Sequence, residues 1–218
     1  MERSIYSIFS RLFSYPDADY NHQIESAKAV LESAFPEALV HYSPFYTYVK
    51  ELNLADQQEL FLRSFDVQAV TTLDIGYVLF GDDYKRGELL VNLNREHRES
   101  GNECGTELSD NLANVLNLMP KLKDPELAYE FAVVILGPAI KRMSNSFNKD
   151  QVNSKDKFYQ KQYKTLIDRP VNNYCIYQYL LNSIYMILDK DYHVMQFATE
   201  ENGSDFLNNI YSEAKIEG

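Results

Sequence analysis

At the two ends of a stretch with helical spacing the chain places the carboxylates Asp82 and Asp83, with Arg86 beside them, and the carboxylates Glu107 and Asp110, beyond a loop carrying Gly101 and Gly105. Carboxylates at the ends of a helix-loop-helix have two uses. They can be caps and turn residues, with Asp83 and Asp110 as N-caps, Asp82 in a turn and Glu107 solvated. Alternatively, some of them face a groove and pair with arginines of a peptide ligand. Arg86 sits where a cation opposes the helix dipole, so an acid must compensate it: Asp82, Asp83 or one from elsewhere. Gly87, one residue on, suggests close approach of another backbone.

Other chemistries find less support. The histidines, at 22, 41, 97 and 193, show no HExxH pattern, and only Asp19 and His22 have helical i, i+3 spacing, so no metal site is expected. No GxSxG motif occurs, and neither Cys104 nor Cys175 has a locally implied base, so no catalytic residues are assigned. Gly81 and Gly87 flank DDYKR, whose two carboxylates would repel phosphate. Gly101 and Gly105 flank NEC without a lysine. No cofactor is implied.

The elements that must carry these residues read as helices. Ile5, Ile8, Phe9, Leu12 and Phe13 recur at helical spacing until Tyr15-Pro16-Asp17 stops them. Ile24, Ala27, Val30, Leu31 and Ala34 form a second stripe that closes before Pro36. Ser43-Pro44 reads as an N-cap and first-turn proline opening a separate short helix through Leu52. Another helix carries Leu60, Phe61 and Phe65. Residues 67–76 are rich in β-branched side chains but have no partner run, and are read as a loop leading into a short helix. Tyr84–Ser100 should turn Leu89, Leu90, Leu93 and His97 inward and end at Gly101. Ser109 or Asp110 should cap the helix through Leu112, Val115, Leu116 and Met119. Asp124-Pro125 opens the most apolar segment, Leu127–Ile140, read as one buried helix kinked near Pro138. Asn145–Asp156 has linker composition. Lys157–Ile167 and Tyr174–Leu188 are further helix candidates, ahead of a polar, acidic tail read as frayed.

The expected fold is therefore all-α, a single-domain helical bundle around that apolar helix. Residues 1–148 form its core, and 149–218 form a helical extension packing on it. The chain has 218 residues, 45% hydrophobic, with 17 tyrosines and no tryptophan, which suits a folded domain. Its formal net charge of −11 disfavours nucleic acid and anionic membrane surfaces and favours basic peptides as partners. The charge is segregated: nine Lys/Arg against 19 Asp/Glu in residues 1–120, ten against six in 121–170, and two against seven in 171–218. Two cysteines without metal or CxxC spacing suit a reducing compartment. The opening MERSIYSIFSRLFSYPD lacks the apolar run of a secretory signal, and no stretch reaches the roughly 20 apolar residues of a spanning helix. A cytoplasmic location is expected.

The order of these pieces resembles one known family. The Arg86-Gly87 pair opening a helix, the glycine loop after it, and Glu107-Leu108-Ser109-Asp110-Asn111-Leu112 are similar to the TorD/DmsD/NarJ chaperones of molybdenum oxidoreductase maturation, closest to the NarJ-like, dimethyl sulfoxide reductase assembly type. There the last segment reads Glu-Leu-Pro-Asp-x-Leu; Ser109 replaces the proline. Phe65-Asp66 matches the family's Phe-Asp after its fourth helix. The resemblance covers roughly residues 5–143. It implies a non-enzymatic chaperone that binds the N-terminal, often twin-arginine, leader of a molybdopterin-dependent catalytic subunit, such as a nitrate or dimethyl sulfoxide reductase. The chaperone would hold that subunit while its cofactor is inserted. Glu107, Leu108, Asp110, Asn111, Leu112, Asp82, Asp83 and Arg86 would form the peptide site. The alternative is a helical adaptor or homodimer whose basic segment 141–169 and tyrosines 174, 177, 179 and 185 bind another protein. Deleting residues 150–218 should separate the two.

Overall fold

The computed structural model describes residues 4–148 and 175–196. Helices α1 (Ser4–Leu12), α2 (Tyr20–Ala34), α3 (Pro36–Lys50) and α4 (Leu54–Phe65) precede a loop. After it come a short α5 (Ile75–Phe80), the long α6 (Tyr84–Glu99) and α7 (Leu112–Leu118), which a 3-10 turn (Met119–Lys121) extends. Then α8 (Pro125–Glu130), a π-helical stretch (Phe131–Leu136) and α9 (Gly137–Ser146) run on without a break, and α10 (Ile176–Tyr192) closes the described chain. The fold is all-α. Among the described residues extended pairing is limited to one isolated bridge, Asp74 with Asn111, and no helix is long and apolar enough to cross a membrane.

The apolar periodicity accounts for the packing. Ile5, Phe9 and Leu12 on α1, Phe13 just after it, and Ile24, Ala27 and Leu31 on α2 have no exposed surface, because residues three and four apart share one helix face. Tyrosine does much of the filling, and each buried hydroxyl needs a partner. Tyr20 donates to the Leu12 carbonyl at 2.9 Å, Tyr42 to that of Ile24 at 2.8 Å, and Tyr6 to Asp191 at 2.8 Å. Burial holds these phenols well above the usual tyrosine range, so they remain donors.

Two expected boundaries differ. No new helix starts at Ser43; α3 runs through Pro44. The proline removes a hydrogen bond to the Val40 carbonyl, but Val40 is 71% exposed, so water can serve that carbonyl. Ser43 is bonded instead to the Leu39 carbonyl at 2.7 Å. The apolar segment Leu127–Ile140 contributes Ala132, Val133, Leu136, Ala139 and Ile140 to the core, yet it is not one regular helix. Pro138 cannot donate to the turn before it. The backbone widens to the π form over Phe131–Leu136, and the Gly137 N–H reaches back to the Ala132 carbonyl. A Cβ on Gly137 would lie 3.1 Å from that carbonyl oxygen and 3.2 Å from Val194, so glycine permits both the widening and the contact.

Helix α10 packs against α3 and α9. Leu180, Leu181, Ile184, Ile187 and Leu188 are fully enclosed in the same cluster as α1 and α2. Ser183 donates to the Ala38 carbonyl, and Tyr177 packs on Phe45 with ring centroids 5.4 Å apart. Tyr177 is thus core, Tyr185 is half-buried and Tyr179 is exposed; the three do not form one exposed tyrosine surface. Deleting residues 150–218 would strip α10 from the core, so that truncation cannot separate the two functional readings. Of the linker Asn145–Asp156, the first residues belong to the end of α9 and its turn. The basic helix candidate Lys157–Ile167, Tyr174 and the acidic tail lie outside the described residues.

Candidate functional site

The loop before α5 and the loop before α7 are stitched together by their backbones. The Ile75 N–H donates to the Asp110 carbonyl at 2.9 Å and the Leu112 N–H to the Leu73 carbonyl at 2.8 Å. This pairing brings Asp74 and Asp110, 36 positions apart in the sequence, to the same guanidinium. Arg86 donates through Nε to Asp110 Oδ2 at 3.1 Å and through Nη2 to Asp74 Oδ2 at 3.0 Å, with its plane 5.4 Å from the Tyr77 ring centroid. Asp110 has no exposed surface, and its Oδ1 has no hydrogen-bond partner among the described residues. Two carboxylates share one cation, which leaves the cluster net negative. Burial, joined by the Asp110 charge and only partly opposed by Arg86, raises the Asp74 carboxyl above its ordinary range. Burial pulls the Arg86 guanidinium down, and the two carboxylates raise it by more.

Room for this cluster depends on Gly76. A Cβ there would lie 2.7 Å from Asp110 Oδ2 and 3.2 Å from Arg86 Cγ, so glycine is the residue that lets α5 approach the ion pair. Gly87 has no such role, since a Cβ at that position meets nothing within 4 Å.

The loop between α6 and α7 is held from behind. Gly101, at φ +61°, ends α6 in a Schellman turn: its N–H reaches the Arg98 carbonyl and the Asn102 N–H reaches the His97 carbonyl. His97 Nε2 lies 2.9 Å from the Ser109 carbonyl and its Nδ1 2.8 Å from the Asn102 amide nitrogen. That amide nitrogen also donates to the Asn114 carbonyl at 3.1 Å, while Asn102 Oδ1 accepts from Asn117 and Lys121. Asn114 in turn donates to the carbonyls of Cys104 and Leu108 at 3.2 and 2.9 Å.

In front of this loop lies a cleft of about 640 Å³. Phe13, Tyr15, Phe61 and Phe65, from α1, the turn after it and α4, line one side. Their rings meet edge to face, Tyr15 on Phe61 at 5.9 Å and Phe61 on Phe65 at 5.2 Å between centroids. Across from them are Cys104, Gly105, Thr106, Glu107, Asn111 and Asn114, with Asp66 and Asp74 completing the lining. Among the described residues the lining thus holds three carboxylates and no lysine, arginine or histidine. Burial pushes the Cys104 thiol up, so at neutral pH it stays protonated. Among the described residues no group of three or more His, Cys, Asp or Glu is placed to hold a metal.

Measured against the eight residues expected at a peptide site, this arrangement divides them. Glu107 and Asn111 line the cleft, and Leu108 is beside it in the same loop, half exposed. Asp110 and Arg86 are not groove residues: they are the ion pair behind the wall, because the carboxylate points inward to the α6 guanidinium. Asp110 is no N-cap either; Asn111 caps α7 by accepting from the Ala113 N–H at 2.9 Å. Leu112 is fully buried in the core. Asp83 caps α6 through the Lys85 N–H at 2.9 Å, Asp82 is exposed, and neither compensates Arg86 or lines the cleft. Asp74, Asp66, Tyr15 and Phe61 were not expected there. A signal for Asp74 existed in Asp74-Ile75-Gly76, a lone acid beside a glycine ahead of a helix, but only the backbone pairing turns it toward Arg86. No protein-family model matches this sequence, and no curated protein matches it.

Proposed function

We propose that this protein is a maturation chaperone of the TorD/DmsD/NarJ kind. It would bind the N-terminal leader of a molybdopterin-dependent catalytic subunit and hold that subunit until its cofactor is in place. The observation that carries the reading is the cleft, which offers an aromatic side and three carboxylates, of which, among the described residues, only Asp74 is engaged by a cation, Arg86. A leader with arginines followed by an apolar run matches both halves. Its guanidinium pairs with Glu107 and Asp66, and the apolar residues lie on Tyr15, Phe61 and Phe65. The all-α fold and the residues from Arg86 to Leu112 that resemble the family support the same reading.

A ligand held by one or two ion pairs and a few side chains on a small aromatic surface binds with about −7 to −10 kcal/mol, that is, at micromolar affinity or somewhat tighter. The test is calorimetric titration with a synthetic twin-arginine leader peptide, alongside capture of partners from native extract. Charge reversal in the cleft (Glu107→Lys with Asp66→Lys) should weaken peptide binding at least tenfold and abolish capture of a large molybdenum-enzyme subunit. Reversal on the exposed face of α6 (Glu88→Lys with Glu99→Lys) should leave both nearly unchanged. Equal losses from the two pairs, or a captured set without such a subunit, would overturn the proposal.

A further inference from the structure

The wall formed by residues 102–109 carries Cys104, Thr106 and Glu107 into the cleft, and the group behind it, His97, is titratable. We propose that His97 is the positioning residue of this wall: as a neutral ring it ties Ser109 to Asn102 at the two ends of the loop, and a proton on Nδ1 breaks the Asn102 side, loosens the loop and releases the bound peptide. The inference rests on the cleft being the peptide site for its consequence, although the lock itself stands without a ligand.

The hydrogen-bond directions leave one arrangement. Lys121 can only donate, so the Asn102 atom facing it is the oxygen, and the Asn102 nitrogen must face His97 and the Asn114 carbonyl. Both hydrogens of that nitrogen are then committed, so His97 Nδ1 accepts. The Ser109 carbonyl can only accept, so His97 Nε2 carries the proton. Every group in the chain from Lys121 to Ser109 is satisfied only with this neutral tautomer. A second proton would set an Nδ1–H against the Asn102 amide hydrogens. Rotating the amide would break its bonds to Lys121, Asn117 and Asn114 together. The groups facing the ring are the Ser109 carbonyl, the Asn102 amide and, as the charged group acting on it, the Lys121 ammonium from the 3-10 turn; all of them oppose or fail to welcome a second positive charge except the carbonyl. Burial, with Lys121 adding to it, lowers the imidazole below its ordinary 6.5. In the linkage sense the lock is at full strength above about pH 6.5 and weakens as pH falls from there toward the lowered value.

The test uses the full chain and reads loop amide exchange by mass spectrometry, the His97 titration by NMR, and twin-arginine peptide affinity, each between pH 7.5 and 5.0. In the wild type, exchange in residues 103–110, corrected for its intrinsic pH dependence, should quicken roughly tenfold as His97 titrates, the equivalent of one lost buried hydrogen bond. Affinity should fall in step. In His97→Gln, whose amide can donate to Ser109 and accept from Asn102 but does not titrate in this range, both changes should vanish while neutral-pH affinity is kept. Asn102→Asp is the second variant. Its carboxylate still accepts from Lys121 and would pair with a protonated ring, so the loop's pH response should invert, with the loop held at low pH and exchange quickening as pH rises. Loop exchange that ignores the His97 titration, or an unchanged response in both variants, would overturn the inference. A leader peptide that binds at no pH would refute the proposed function alone, because the exchange data would still decide the lock.

Discussion

Replacing Arg86 with methionine keeps an unbranched stem in place and removes the cation that bridges Asp74 and Asp110. The loss comprises two charge-assisted hydrogen bonds, at 3.1 and 3.0 Å, and leaves Asp110 enclosed with neither oxygen paired by Arg86. Breaking a buried pair from one side costs about 3–5 kcal/mol, most of it the stranded charge. Against a total stability of about 5–15 kcal/mol this is a large fraction, and for a chain of this length it corresponds to roughly 6–20 °C in melting temperature. Removing Arg86 also removes what opposes the rise of the Asp74 carboxyl, so the cluster can relieve its charge by taking up a proton there, and each pH unit of acidification makes that uptake about 1.4 kcal/mol easier. The loss should therefore shrink between pH 7.5 and 5, and Asp110→Asn combined with Arg86→Met should recover much of it, showing strong non-additivity. Arg11→Met, which removes an exposed pair with Asp17 at 2.9 Å, should change little. Urea denaturation across this pH range, with m unchanged, reads all of these. A loss from Arg86→Met below about 1 kcal/mol, or one that does not vary with pH, would refute the view that Arg86 serves to neutralise buried carboxylates.

Two further substitutions probe the same region. Gly76→Ala should destabilise by about 1–3 kcal/mol, since its Cβ would lie 2.7 Å from Asp110 Oδ2. Gly87→Ala, in open space on α6, should instead stabilise by up to about 1 kcal/mol through helix propensity; equal signs in thermal melts would contradict the assigned roles of the two glycines. Asp74 carries the pH signature of a raised carboxyl. The folded chain keeps this proton to higher pH than the unfolded one, so its contribution is most favourable below 3.8 and declines as pH rises from there to the raised folded value. Asp74→Asn can still accept from Arg86 and should remove that decline; a stability–pH curve unaltered over this window would rule the effect out.

What the sequence determined by itself was periodic or local. The stripes Ile5–Phe13 and Ile24–Leu31, the stop before Pro36, Asp83 and Gly101 bounding α6, and the helical reading of Leu127–Ile140 all follow from 3.6-residue spacing and from cap chemistry acting within one turn. Where a local rule was applied to a residue whose surroundings override it, it failed. Ser43-Pro44 has the form of a helix start, but a solvent-facing carbonyl lets α3 pass through. Asp110 has the form of a cap, but a guanidinium 24 positions earlier draws its carboxylate inward and passes the cap to Asn111. The partners of Arg86, the need for glycine at 76 rather than 87, and the aromatic side of the cleft from α1 and α4 were decided by tertiary structure alone. Each depends on which loops pair across the bundle, and a free energy that arises from contact between distant segments leaves no spacing in the chain to read.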